Sequence, residues 1–250
     1  MSMKRIVGVS ILVLFCTLSV LHLSWAQERS ANTFFATRII DQPVFDKQGK
    51  EIGEVDDLVV SRLGKVRKVT LDVGELVNTG EKIIALPFNE ISIQKDGRIE
   101  ADLTKERADR MPEYNYAKKG LECVYYGGCP YYPYNYPGSV YSYSPYYYQP
   151  PGGQFNPSSV WFYFPYRFLA STVIKRTLIN DRGEIIGEID DLVIGRNGKV
   201  DKLVISSEKY LGEDKYVTVP FEPLGFTPFA VVYNIMPEKL RSLPKFPYRD

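Results

Sequence analysis

The stretch "IGEVDDLVV" at residues 52–60 returns as "IGEIDDLVI" at 186–194. A strand sends alternate side chains to opposite faces, so a half-buried strand reads apolar, polar, apolar. Here that rhythm breaks. Val55 and Val59 share parity with Asp57, whereas Leu58 and Val60 share parity with Asp56. A β-bulge or sharp bend at the aspartate pair would return both apolar sets to one interior. The same argument applies to Asp190 and Asp191. Gly53 and Gly187, three residues before the first aspartate of each pair, mark a bulge or a close backbone approach. Gly53, Asp56, Asp57, Gly187, Asp190 and Asp191 are therefore candidate structural residues, each carboxylate placed to accept hydrogen bonds from backbone N–H groups that lack a ladder partner. A hard cation is the competing reading of the aspartates. Neighbouring strand residues, however, do not converge on one ion.

Outward from this stretch the repeat extends over residues 36–77 and 170–211 at a constant shift of 134. With one-residue adjustments "KIIALPF" falls on "KYVTVPF", and "IEADLTKERADRMPEY" on "VVYNIMPEKLRSLPKF". Each copy is punctuated as short strands: "TRIIDQPVFD", "EIGEVDDLVVS", "VRKVTLDV", "KIIALPF" and "RIEADL", joined by Gly-containing turns. Helix is confined to "TKERADR" and "PEKLRS". Short strands in so small a unit predict a closed or nearly closed barrel, because closure removes exposed edges. The fold class is all-β: two small β-barrels in tandem, each expected to fold alone.

These residues resemble the PRC-barrel family. The resemblance lies in "GKEIGEVDDLVV", "GKVRKVTLDV" and "KIIALPFNEI" in the first copy, and in "GEIIGEIDDLVI", "GKVDKLVIS" and "KYVTVPFEPL" in the second. It implies binding and assembly modules with no common catalytic residues, so none is carried over. The expected organisation is a signal peptide at 1–26, barrels at 34–114 and 166–250, and a Tyr/Pro/Gly-rich linker at 115–165.

Residues 1–26 combine basic Lys4 and Arg5, an apolar run from Ile6 to Leu23, and small Ala26 before polar Gln27, the three parts of a secretory signal. An uncleaved membrane anchor is the alternative. Cleavage leaves 29 basic and 30 acidic residues, a net charge of −1, and removes the lone histidine, His22. Near-neutral balance calls for neither nucleic acid nor an anionic surface. Without histidine, Ser-His and Cys-His nucleophiles and histidine-bound zinc drop out. No Gly-rich phosphate loop precedes a helix. The chain reads as a non-enzyme without cofactor or metal. Its localisation is periplasmic or secreted, its partner a protein or envelope component, and membrane contact arises only through an uncleaved N-terminus. A small-ligand or divalent-cation sensor is the alternative function.

Between the copies, tyrosine appears abruptly. The first 113 residues contain none, whereas the intervening segment carries most of the 19 in the chain. Tyr131, Tyr132, Tyr134, Tyr136, Tyr141, Tyr143, Tyr146, Tyr147 and Tyr148 are candidate partner-binding residues, because tyrosine offers a large amphipathic surface with few rotors. A solvated linker and oxidative cross-linking are the other readings. Cys123 and Cys129 flank a Gly-Gly turn, which in an exported protein reads as a local disulfide.

Overall fold

A computed structural model describes residues 33–116, 166–227 and 230–248. Strands dominate. The first repeat contains β1 (Thr33–Phe35), β2 (Pro43–Phe45), β3 (Glu51–Ser61), β4 (Val66–Asp72), β5 (Ile83–Pro87), β6 (Ile91–Ile93) and β7 (Ile99–Ala101). The second contains β8 (Arg167–Leu169), β9 (Arg176–Ile179), β10 (Ile185–Gly195), β11 (Val200–Ser206), β12 (Tyr216–Pro220), β13 (Gly225–Phe226) and β14 (Val231–Val232). Helices at Lys105–Arg110 and Pro237–Arg241 fall on the segments expected to be helical, but helix is not confined to them: single turns at Gly74–Val77 and Glu208–Leu211 follow the β4 and β11 strands. The Lys105–Arg110 helix begins at Thr104, whose hydroxyl accepts the Arg107 N–H at 3.2 Å, a side-chain cap for one orphan donor.

The long central strands owe their shape to the aspartate stretch. In β3 the inward residues are Ile52, Val55, Leu58 and Val60, all buried, so the inward steps are three, three and two residues. β10 repeats this with Ile186, Ile189, Leu192 and Ile194. Against β4, Val55 faces Leu71 while Asp57 faces Thr70, so the register slips at Asp56. Against β11 it slips at Asp190. The segment "TRIIDQPVFD" is less extended than its composition suggests. A 3-10 turn covers Ala36–Arg38, and Asp41 sits at φ 60, so only Pro43–Phe45 pairs as strand.

Each repeat builds a sheet of the same order: β5-β4-β3-β2-β7-β6 in one and β12-β11-β10-β9-β14-β13 in the other. The seventh strand of each sheet comes from the other repeat. β8, the first strand of repeat 2, pairs with β3 through Leu169–Val59, Phe168–Val60 and Arg167–Ser61. β1, the first strand of repeat 1, pairs with β10. The repeats have thus exchanged their first strands within one chain. Turns 61–66 and 195–200 also meet: Val66 N–H donates to the Gly198 carbonyl at 2.8 Å, and Val200 N–H to that of Gly64 at 2.7 Å. One contiguous apolar cluster consequently spans both repeats, running from Val44, Leu58 and Ile84 to Leu178, Leu192 and Val219. The expectation of two self-contained barrels is corrected on this point. A strand that must be borrowed leaves either half with unpaired backbone and an uncovered core.

Candidate functional site

Asp57 and Asp191 sit where the exchanged segments dock. Residues following each borrowed strand enter a 3-10 turn, Ala36–Arg38 or Ala170–Thr172. That turn presents an N–H and a hydroxyl to the other repeat. Ser171 N–H donates to Asp57 Oδ1 at 3.2 Å, and the Ser171 hydroxyl donates to Oδ2. Thr37 does the same to Asp191, its N–H lying 3.2 Å from Oδ1. Each aspartate also accepts the N–H of its own successor, from Leu58 at 2.6 Å and from Leu192 at 2.7 Å. Tyr248 adds its hydroxyl to Asp191 Oδ2 at 2.9 Å. Asp57 is 4% exposed and Asp191 fully covered. Burial pushes the Asp57 carboxyl up to about 6, opposed by the Ser171 and Leu58 donors and assisted by the Asp56 charge. Burial likewise raises Asp191 against the pull of Thr37, Tyr248 and Leu192.

The first aspartate of each pair faces its own repeat. Asp56 Oδ2 accepts the Tyr116 hydroxyl and, at 3.1 Å, that of Thr70. Desolvation and the neighbouring Asp56 carboxylate raise the Tyr116 phenol, which therefore stays protonated and donating. In repeat 2 the position of Thr70 is Val204, and Asp190 turns instead to Lys175 Nζ at 2.7 Å. That hydrogen bond raises the Lys175 ammonium. The other Asp190 oxygen is buried without a hydrogen-bond partner among the described residues.

Gly53, at φ 142, lies so close to β4 that a Cβ there would stand 2.1 Å from the Asp72 carbonyl oxygen. A Cβ at Gly187 would meet the Ser206 carbonyl oxygen at 2.1 Å. The aspartates do not gather with other ligands: among the described residues no three His, Cys, Asp or Glu side chains converge on a point. The oxygens of Asp57 and Asp191 are met by hydroxyls and amides of the protein itself, which makes the site a clasp between repeats.

The partners of these carboxylates escaped the sequence reading, although the repeat held the signal. Thr37 and Ser171 are related by the same shift of 134, a hydroxyl in both copies. Tyr116 and Tyr248 both stand two residues beyond the aromatic that ends the alignment, Tyr114 or Phe246. Those aromatics occupy equivalent places: Tyr114 N–H donates to the Ile83 carbonyl and Phe246 N–H to that of Tyr216.

A second cluster lies on the outer surface of repeat 1. Val59, Tyr114 and Leu169 are buried together, with Ile83, Ala85 and Tyr116 packed around them. Tyr114 precedes the tyrosine-rich segment and Leu169 follows it. Tyr116 is tied to Asp56, and the Tyr166 carbonyl accepts the Arg62 N–H at 2.9 Å. Both ends of the segment are thus held on repeat 1. Cys123, Cys129 and the nine tyrosines from Tyr131 to Tyr148 lie outside the described residues, as does the N-terminal segment 1–26. Among the described residues no helix is long and apolar enough to cross a membrane.

Two small barrels of one topology, clasped by exchanged strands, define a tandem β-barrel module. The PRC-barrel domain matches residues 31–108 and 166–237, and the chain belongs to that family. PRC-barrel domains are generally non-catalytic, and the family points to a binding or assembly module. No curated protein matches it.

Proposed function

We propose that the chain is a non-enzymatic, exported module of the bacterial cell envelope, whose double barrel displays residues 117–165 to a protein or envelope partner. The observation that carries this reading is the meeting of Tyr114 and Leu169 on Val59. A connector joining two separated domains needs length in order to reach. Here the exchanged strands already hold the repeats together, and the connector leaves and rejoins the same surface of repeat 1. The 49 residues from 117 to 165 exceed what the connection requires, and long insertions in compact domains commonly carry function. Their tyrosines supply contact area at low entropic cost. The export reading rests on the order of basic, apolar and small residues before Gln27.

The test is gentle cross-linking in the producing cell, using the full chain and a variant with the nine tyrosines from Tyr131 to Tyr148 replaced by serine. The expected result is a reproducible envelope partner that is lost in the variant, with the thermal midpoint of the barrels unchanged. Retention of the partner would move binding to the barrel surfaces. Recovery of the protein in the cytoplasm with residues 1–26 intact would remove the export reading.

A further inference from the structure

We propose that turns 61–66 and 195–200 together form a docking surface for an anionic phospholipid bilayer. The two turns lie antiparallel across the junction of the repeats, with Lys65 directly opposite Lys199. Val66 and Val200 are buried, so alternation turns Lys65, Arg67 and Lys199 outward. Like charges placed directly opposite one another oppose pairing. The turns themselves do not call for lysine, since their backbone reversal is made by Gly64 at φ 73 and Gly198 at φ 75.

Arg62 and Arg196 stand in the same two turns and are exposed, the Arg196 guanidinium lying over the Phe34 ring. Lys65 and Lys199 therefore meet at the junction with Arg62 and Arg196 in the same turns, and Asp201, just beyond the second turn, lies 3.6 Å from Lys199 Nζ. Lys65 donates to the Asn197 carbonyl, an interaction that leaves its charge in place. The whole chain, by contrast, has a net charge of only +1. Folding creates the patch, because its halves are 134 residues apart in sequence. The near-neutral composition concealed it.

Apolar side chains select the partner. Leu63 at the tip of the first turn is 74% exposed, and Tyr166, joined to Arg62 through its carbonyl, is 67% exposed. The position matching Leu63 in repeat 2 is Asn197, so the turn does not need a leucine. An exposed aliphatic tip close to Arg62 and Lys65, with Tyr166 joined to Arg62, matches the interface of a bilayer with acidic headgroups, where apolar groups enter the acyl boundary and cations meet phosphate. A soluble polyanion such as nucleic acid would use the cations and leave Leu63 idle.

The test uses the full chain with vesicles of phosphatidylcholine alone or mixed equally with phosphatidylglycerol, and with heparin as a soluble polyanion. Amide hydrogen exchange gives the location of binding, so the N-terminal apolar run, present in every sample, does not confuse the reading. Phosphatidylglycerol vesicles, but not phosphatidylcholine ones, should slow exchange at 62–65 and 196–199. The double variant Lys65→Gln, Lys199→Gln should weaken vesicle binding about 25-fold, at about fivefold for each cation near the surface. Leu63→Ser should weaken vesicle binding several-fold and leave heparin affinity unchanged. Both variants should keep the wild-type thermal midpoint. Equal protection of 62–65 and 196–199 by both vesicles, protection elsewhere only, or indifference to Leu63→Ser would overturn the proposal. The last outcome, combined with heparin binding, would make the surface a general polyanion site. Because none of these readouts depends on the tyrosines from Tyr131 to Tyr148, failure here leaves the partner-display reading intact.

Discussion

Ser171 and Asp57, 114 residues apart, are bound twice: the serine N–H lies 3.2 Å from Oδ1, and its hydroxyl donates to Oδ2. Thr37 and Asp191 repeat the arrangement in the opposite direction. The aspartate pair is therefore less a local brace for a bent strand than a receptor for the neighbouring repeat.

Removing the hydroxyl should expose this role. Ser171→Ala leaves Asp57 with two N–H donors on Oδ1 and none on Oδ2, at a cost of about 1–2 kcal/mol. Ser171→Thr should be nearly neutral, since threonine fills the matching place at residue 37. Chemical denaturation of the three proteins provides the measurement. An alanine variant as stable as wild type would show that the hydroxyl bond adds nothing beyond water.

Acid should affect the clasp in an unusual direction. The Asp57 carboxyl titrates near 6 in the folded protein against an ordinary value of 3.8, so the folded state binds this proton more tightly than the unfolded state. Its contribution is complete below pH 3.8, declines as pH rises to about 6, and is flat above that. The span corresponds to about 3 kcal/mol. The stability difference between wild type and Asp57→Asn should therefore shrink by most of that amount, about 2 kcal/mol, from pH 4 to pH 7. Asp191, raised in the same direction, is present in both proteins and cancels. A difference that stays constant with pH would mean that its donors keep Asp57 ionised throughout.

Much of this fold was legible in the sequence, and the boundary of legibility has a physical cause. Alternation is local, so the broken parity around Asp56 announced the register slip, and Gly53 announced the tight approach to β4. The turn glycines and the helices at Lys105–Arg110 and Pro237–Arg241 were local as well. Strand exchange is not local: β8 would pair with β10 or with β3 using the same backbone groups, and nothing in "RFL" distinguishes them. The hydroxyls at 37 and 171 were visible as a repeated feature, but their acceptors lie across the exchange. The cationic junction was hidden for the same reason, its halves being united only by the 64–66 and 198–200 pairing.

The glycine approach can be tested against an internal control. Gly53→Ala places a methyl 2.1 Å from the Asp72 oxygen at φ 142, so β3 and β4 must separate; the expected cost exceeds about 3 kcal/mol. Gly97→Ala, at φ 91 with open space around it, carries only backbone strain and should cost about 1 kcal/mol. Thermal melts of the two variants give the comparison. Equal losses would mean that strain at positive φ, rather than contact with β4, explains Gly53.

Exchange makes its strongest prediction when the chain is divided. Residues 34–114 retain β3 but lose β8 from its edge, and residues 166–250 retain β10 but lose β1. Each fragment also loses the partner of its buried aspartate, Ser171 or Thr37, and part of a core that is continuous across the repeats. Neither fragment should show a cooperative thermal transition as a monomer. Mixed in equal amounts, they should restore dispersed amide resonances and a cooperative melt, because the exchanged strands and the partners of Asp57 and Asp191 are supplied by the other fragment. The restored complex should dissociate on dilution and be weakened by Ser171→Ala. Independent cooperative folding of both fragments as monomers would show that the barrels close without borrowed strands. The clasp at Asp57 and Asp191 would then be a contact between finished domains, not a condition for forming them.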